Sequence, residues 1–110
     1  MITGPPGDPF AALADPTRRQ ILELLVRDGP STATALAGQL DISRQAVAKH
    51  LQLLAGAGVA AGERIGRETR FEVRPDGFRD VSSWIATMED RWTARLGLLA
   101  RSLQDEPDEG

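Results

Sequence analysis

Residues 43–54, which read SRQAVAKHLQLL, decide the predicted fold of this 110-residue chain. Val47, Leu51 and Leu54 share one face of a helical wheel, and polar residues occupy the opposite face. Ser43 is a strong N-cap residue, because its hydroxyl can accept a hydrogen bond from a backbone N–H of the first turn. The segment is therefore predicted to be an amphipathic helix that begins after Ser43 and ends at the glycines that follow it.

A second amphipathic helix is predicted just before this one. Its cap is Ser31 or Thr32, and a short connection through Asp41 and Ile42 joins it to the helix that follows. Two short helices joined by such a turn form a helix-turn-helix. The residues predicted to face the core from the first of the two are Ala33, Leu36, Ala37 and Leu40.

Two more helices are predicted upstream. A short one starts at Asp8, and a longer one starts at Asp15 and Pro16 and runs to about Arg27. Aspartate is a strong N-cap residue, and proline is tolerated at the first helical position because no N–H is needed there.

Downstream of the helix-turn-helix the periodicity changes from helical to alternating. Phe71 and Val73 alternate with charged residues, as expected for a half-buried strand. Gly66 and Arg67 lie between two such runs, which predicts a β-hairpin, called the wing below. The first strand of the wing is expected to be short, because alanine and glycine have poor strand propensity.

A long final helix is predicted over residues 76–104. Its apolar residues recur at intervals of three or four, so that they form one stripe of about seven turns. A stripe of this length exceeds what three short helices can cover, which indicates dimerisation. An alternative interpretation is that Trp84, Met88 and Trp92 line an effector pocket between subunits. The stripe consists of Phe78, Val81, Ile85, Met88, Trp92, Leu96, Leu99 and Leu103, with Trp84 beside them.

These elements predict a mainly α fold with a small β-hairpin, namely a winged helix-turn-helix of about five helices and a two-stranded wing. The chain is long enough for one domain, which is placed at residues 8–104 and includes a dimerisation helix at about 76–104. Residues 1–7 are expected to be a flexible tail, and residues 105–110 an acidic disordered tail.

The charge is distributed unevenly along the chain. The net charge is −3, which is unexpected for a protein that binds DNA. Residues 43–70, however, carry five basic and two acidic residues, a net charge of +3. Because phosphate binding depends on local charge density, this segment can bind DNA despite the acidic average.

The outer face of the 43–54 helix and the wing carry the residue types that bind DNA. Glutamine can pair with adenine and arginine with guanine in the major groove, and wing arginines can follow the backbone or enter a narrow minor groove. Each residue alone would equally suit a solvated surface, so the prediction rests on their combination. The predicted contacts are Ser43, Arg44, Gln45, Ala48, Lys49, His50, Gln52, Arg64, Arg67 and Arg70.

His50 is the only histidine in the chain. It borders the buried stripe of its helix, which favours a structural role with one ring nitrogen bonded to the backbone. The other ring nitrogen would be available for a phosphate.

Residues 11–22 (AALADPTRRQIL), Leu36-Ala37, residues 43–51 (SRQAVAKHL) and Gly66-Arg67 follow one another in a characteristic order and spacing. They resemble the ArsR family of bacterial and archaeal winged helix-turn-helix repressors from about Phe10 to Val73. The resemblance implies a homodimeric repressor that binds double-stranded operator DNA, with the fourth helix in the major groove and the hairpin on the flanking backbone. It also implies an interface formed by the first and last helices, whose predicted residues are Phe10, Leu13, Trp84, Met88, Trp92, Leu96 and Leu99.

Several kinds of function are excluded by missing residue types. The chain has no cysteine and the last helix has no histidine, so the thiolate and imidazole ligands of a transition-metal sensor are missing. No metal site, cofactor or enzymatic activity is predicted, since no motif of catalytic spacing occurs. Neither a membrane helix nor a secretory signal is recognised, which predicts a cytoplasmic location.

An alternative function is a winged-helix module that binds protein instead of DNA. Such modules commonly lose the basic residues of the recognition helix and wing, so the basic residues of 43–70 favour DNA. The sequence leaves open the operator, the regulated genes and whether a small-molecule effector exists.

Overall fold

The structure is a computed structural model that describes residues 7–104. Residues 1–6 of the tail predicted at 1–7, and the whole tail predicted at 105–110, lie outside the described residues. Backbone contacts divide the chain into two units that meet between Asp80 and Val81, and each unit is described by itself. The elements within the described range are α1 (Pro9–Ala14), α2 (Pro16–Asp28), β1 (Ser31–Thr32), α3 (Ala33–Leu40), α4 (Arg44–Gly56), β2 (Ala60–Ile65), β3 (Glu68–Val73), a 3₁₀ helix (Pro75–Phe78) and α5 (Arg79–Gln104).

Side-chain caps start the first four helices, as predicted. In each case a carboxylate or hydroxyl oxygen accepts a hydrogen bond of 3.0 to 3.1 Å from a backbone N–H two or three residues further on. Of the two residues proposed as the cap of α3, Thr32 is the one that accepts this bond. The capping residues are Asp8, Asp15, Thr32 and Ser43.

The core of the first unit is built from α1 to α4 and β2. Val47, Leu51 and Leu54 of α4 have no exposed surface, which confirms the predicted buried stripe. Complete burial of each such side chain contributes about 1.5–3 kcal/mol to folding, so the core fixes α4 firmly. The other buried residues are Ala12, Ile21, Leu22, Leu25, Leu36, Ala57, Val59 and Ala60.

The sheet has three antiparallel strands in the order β1-β3-β2, one strand more than predicted. Ser31 and Thr32 of β1 pair with Phe71 and Arg70 of β3. Two residues are too short to show an alternating pattern, and their partner strand lies far along the chain. For these reasons β1 leaves no signal in the sequence.

The predicted hairpin is present as β2 and β3. Ile65 pairs with Glu68, so the turn consists of Gly66 and Arg67 alone. Gly66 has a φ of 66°, which glycine adopts at no steric cost and which a two-residue hairpin turn requires at its first position.

The prediction of a short first wing strand is wrong, because β2 has six residues, as many as β3. Gly62 pairs with Phe71, and the Phe71 ring lies 2.8 Å from the position that a Cβ atom on residue 62 would occupy. The ring therefore covers the glycine. Packing across the strands compensates for the poor intrinsic propensity of β2.

The last helix starts later than predicted. Residues 75–78 form a 3₁₀ helix, and Phe78 packs against the core of the first unit instead of continuing the stripe of the final helix. α5 has 26 residues and none of them is buried. Among residues 7–104, no helix is both long enough and apolar enough to cross a membrane.

Candidate nucleic-acid interface

α4 and the wing border one shallow cleft of about 240 Å³. Arg44, Ala48 and Gln52 line it from α4, and Arg64 and Arg67 line it from the wing. Five of the ten predicted DNA contacts therefore surround a single concave surface. The three arginines make this surface positive despite the nearby Glu68, which suits a phosphate backbone.

The exposed face of α4 lies next to this cleft. Gln45, Lys49 and Gln52 are exposed and lie three or four residues apart, so they project from one side of the helix. Ser43 is also exposed, and its hydroxyl accepts the Ala46 N–H at 3.0 Å. Because the buried stripe of α4 faces the core, the opposite, polar face points toward solvent. A recognition helix contacts bases with this face near its start.

The two faces of the wing carry different residues. Arg64 pairs with Thr69, and its Nε donates a 3.1 Å hydrogen bond to the Gly66 carbonyl, which keeps its guanidinium beside the turn. Arg70 instead pairs with Glu63 and shares the opposite face of the sheet with Glu72. The predicted contact residue Arg70 does not line the cleft, and its neighbour across the strands is the acidic residue Glu63.

His50 lies on a different side of α4 from the cleft. Its ring is half-buried, and Nδ1 lies 3.4 Å from Nη1 of Arg18 in α2. The predicted structural role is consistent with this position, but the partner is a side chain and the prediction of a backbone partner is wrong. The reason is tertiary, since Arg18 reaches His50 across 32 residues of sequence.

The carboxyl group of Asp15 lies near the same two residues. The hydrogen bond from the Arg18 backbone N–H lowers the pKa of Asp15, and slight desolvation opposes this effect. The positive charge of Arg18 lowers the pKa of Asp15 further. Asp15 is therefore held as a carboxylate at the start of α2.

α5, described by itself, carries the predicted apolar stripe on its surface. Val81 and Met88 are half-buried, and the other stripe residues within α5 are exposed. In the first unit, the predicted interface residue Leu13 packs partly against the core, and Phe10 is 41% exposed. Trp84, Ile85, Trp92, Leu96 and Leu99 are between 46% and 60% exposed.

Some residues near the cleft were not predicted. Thr34 and Thr69 line it, and Thr34 is exposed on the first turn of α3. An α3 helical wheel places Thr34 away from the buried face, which is the signal that could have identified it. Among residues 7–104, no three His, Cys, Asp or Glu side chains lie close enough together to hold a metal ion.

A family model described as "Helix-turn-helix domain" matches residues 13–63. The HTH-type transcriptional regulator Rv2034 of Mycobacterium tuberculosis is 34% identical over 104 residues, which are 94% of each chain. The transcriptional repressor SdpR of Bacillus subtilis is 34% identical over 76 residues, 69% of this chain and 83% of SdpR. The solved structure of an ArsR-like transcriptional regulator from Rhodococcus sp. RHA1 is 33% identical with a TM-score of 0.75, and the match covers 89% of each chain.

The chain belongs to the ArsR family. It is a DNA-binding transcriptional regulator with a winged helix-turn-helix fold, and the resemblance noted in its sequence is confirmed. This ArsR-family chain is also similar to a homodimeric winged helix-turn-helix DNA-binding domain from Mycobacterium bovis, a possible ArsR-family regulator. That match has 26% identity, a TM-score of 0.59 and coverage of 74% of each chain.

Proposed function

We propose that this ArsR-family regulator binds operator DNA as a homodimer and represses transcription. The observation that carries the proposal is the cleft in which three arginines from α4 and the wing surround one concave, positive surface. Neither α4 nor the wing would form this surface alone. The side formed by α4 suits the base edges of a duplex, and the side formed by the wing suits its backbone.

α4 is proposed to enter the major groove with its N-terminal half. Gln45 and Gln52 can each pair with an adenine edge, and Arg44 can pair with guanine. Ala48 has a small, half-buried side chain, which lets the helix approach the bases closely. Ser43 and Lys49 would contact phosphates at the groove edge.

The wing is proposed to follow the backbone through Arg64 and Arg67. Both line the cleft, whereas Arg70 lies on the opposite face of the sheet beside Glu63. His50 does not line the cleft, and its Nδ1 lies 3.4 Å from Nη1 of Arg18. The contact surface that we propose therefore excludes Arg70 and His50.

A second copy of the chain is proposed to cover the apolar stripe of α5. Trp84 and Trp92 are 54% and 60% exposed, and aromatic residues with so much exposed apolar surface are typical of interfaces. The M. bovis relative is described as homodimeric. Two α4 helices in a symmetric dimer would reach successive major-groove faces of one operator.

The signal of this regulator is proposed not to be a transition metal. The chain has no cysteine, and its single histidine lies beside Arg18. We also propose that it acts by binding and not by catalysis, in the cytoplasm, where bacterial operator DNA is found.

The experiment that tests this function selects fragments from sheared genomic DNA of the source organism with the purified full chain. The enriched duplex and a scrambled duplex are then titrated in salt from about 50 to about 300 mM. Saturable binding to the enriched duplex alone, which weakens steeply as salt rises, is expected. Equal weak binding to both duplexes would contradict specific repression and favour a winged helix that binds protein.

A further inference from the structure

We infer that Arg18 is a positioning residue that ties α4 to α1 through His50 and so sets the orientation in which α4 meets DNA. The inference rests on the proposed function and adds a residue that lies outside the DNA-contacting surface. Its basis is a set of hydrogen bonds that join three helices at one guanidinium group.

Arg18 binds the last turn of α1 with one edge of its guanidinium. Nε donates to the Ala12 carbonyl at 2.9 Å, and Nη2 lies 3.4 Å from the Ala11 carbonyl. Carbonyls in the last turn of a helix have no partner within the helix, and a positive charge is favourable there. These bonds therefore satisfy the end of α1 and fix the side chain of Arg18.

The other edge of the same group reaches α4. Nη1 lies 3.4 Å from Nδ1 of His50. A planar guanidinium can serve two helices at once because its donors point in fixed directions. The backbone N–H of Arg18 also donates to Asp15 at 3.0 Å, which anchors the residue at the start of α2.

This contact adds a directional restraint to the core packing of α4. Val47, Leu51 and Leu54 hold α4 by apolar burial, which in itself has no preferred direction. A hydrogen bond depends on angle and distance. His50 lies next to Lys49 and two residues before Gln52, so a rotation of α4 about its axis would displace the side chains proposed to contact DNA.

Arg19 offers a matched control on the same helix. Its Nη1 donates to the Leu13 carbonyl at 2.7 Å, so it also satisfies the last turn of α1. Among the described residues, its side-chain hydrogen bond goes to α1 and none goes to α4. Arg18→Gln and Arg19→Gln remove the same charge and the same kind of bond to α1, and only the first removes the bond to α4.

The test uses the full-length chain and measures the dissociation constants for the enriched operator and for a scrambled duplex, together with the dimer constant and the melting temperature. Arg18→Gln is expected to weaken operator binding about tenfold and to leave binding to the scrambled duplex unchanged. Arg19→Gln removes one exposed side-chain bond, so it is expected to lower the melting temperature less than Arg18→Gln and to leave both dissociation constants near those of the wild type.

Substitutions of His50 test whether the bond itself matters. Asn places an acceptor oxygen close to the position of Nδ1, so His50→Asn should retain operator affinity. His50→Leu should reproduce the loss seen with Arg18→Gln. The double variant Arg18→Gln/His50→Leu should bind no worse than either single variant, because both remove one shared interaction.

A second measurement needs no DNA and separates this inference from the proposed function. Backbone amide chemical shifts of residues 48–52 should move in Arg18→Gln and stay unchanged in Arg19→Gln. Unchanged shifts in Arg18→Gln, or equal losses on both duplexes, would overturn the inference. If the wild-type chain binds the enriched and scrambled duplexes equally, the proposed function is overturned instead. The amide chemical shifts would still decide whether Arg18 positions α4.

Discussion

α4 and α5 are both amphipathic helices, yet the apolar stripe of α4 is buried and that of α5 is largely exposed. The stripe of α4 has no exposed surface, whereas the large stripe residues Trp92 and Leu103 of α5 are 60% and 73% exposed. Periodicity shows that a helix has an apolar face but not what covers it. For α4 the cover comes from its own chain, and for α5 we propose a second copy.

The polar faces of the two helices differ as well. α4 presents its outer residues beside the wing, and the wing arginines turn that side into one positive surface. The contrast is therefore between a helix whose apolar face is covered by its own chain and a helix whose apolar face is exposed. Five substitutions test this contrast, and the largest expected effect comes first.

Leu51→Ala tests whether α4 is covered within one chain. Removal of a completely buried leucine is expected to lower the free energy of unfolding by about 2–5 kcal/mol, by the same amount at every protein concentration. Urea denaturation measures this. Leu53→Ala is the control on the same helix, because Leu53 is 48% exposed and should cost far less. Equal losses from the two variants would refute the packing described for α4.

Trp92→Ala tests whether a second copy covers α5. The loss of a central interface tryptophan is expected to weaken the dimer by about 2–4 kcal/mol, which sedimentation equilibrium measures. Leu98→Ala is the matched control, since Leu98 is equally exposed at 60% but lies off the stripe. If both variants dissociate alike, or neither does, the stripe is not the interface.

Gln45→Ala tests whether the outer face of α4 recognises DNA bases. If Gln45 pairs with one adenine, its loss is expected to cost about 1–3 kcal/mol at a single operator position and to relax specificity there. Binding to a set of operators with single base changes locates that position. A uniform loss over all positions would show that Gln45 makes no base contact.

Arg67→Ala tests the contribution of the wing. The loss of Arg67 is expected to weaken binding equally for all DNA sequences. It should also reduce the slope of the logarithm of the binding constant against the logarithm of the salt concentration by about 1. Arg70→Ala is the control, because Arg70 lies on the other face of the sheet and should leave the slope unchanged. A larger change in slope from Arg70 than from Arg67 would reverse the proposed orientation of the wing.

Asp15→Asn tests a small contribution to the stability of the first unit. The pKa of Asp15 is lowered in the folded chain, so its charge stabilises the fold above the ordinary pKa of aspartate and this contribution disappears as the pH falls through the lowered value. Asparagine keeps the cap but cannot titrate. The wild type should therefore be the more stable at about pH 6, and the difference should shrink as the pH falls below the ordinary pKa of aspartate, about 3.9. A difference that is independent of pH would exclude this role.

The sequence predicted those parts of the fold whose signals are local. Caps such as Asp15 and Ser43 mark helix starts, because they act on N–H groups two or three residues away. The turn at Gly66 is equally local. Strand β1 and the length of β2 could not be predicted, because both depend on pairing with β3, in which Phe71 covers Gly62.

The positions of the predicted DNA-contacting residues also depend partly on local signals and partly on tertiary structure. Arg44, Ala48 and Gln52 follow from helical spacing alone, and the structure brings them to one cleft with Arg64 and Arg67. The separation of Arg70 from that cleft depends on strand register, since a shift by one residue moves a side chain to the other face.

By itself, the sequence determined that this chain is a winged helix-turn-helix with a basic segment at residues 43–70, because periodicity, caps and charge are properties of neighbouring residues. Only the tertiary structure decided which basic residues share one surface and that Arg18 reaches His50. Those outcomes depend on contacts between segments distant in sequence, which form when the core packs and fixes the register of each element.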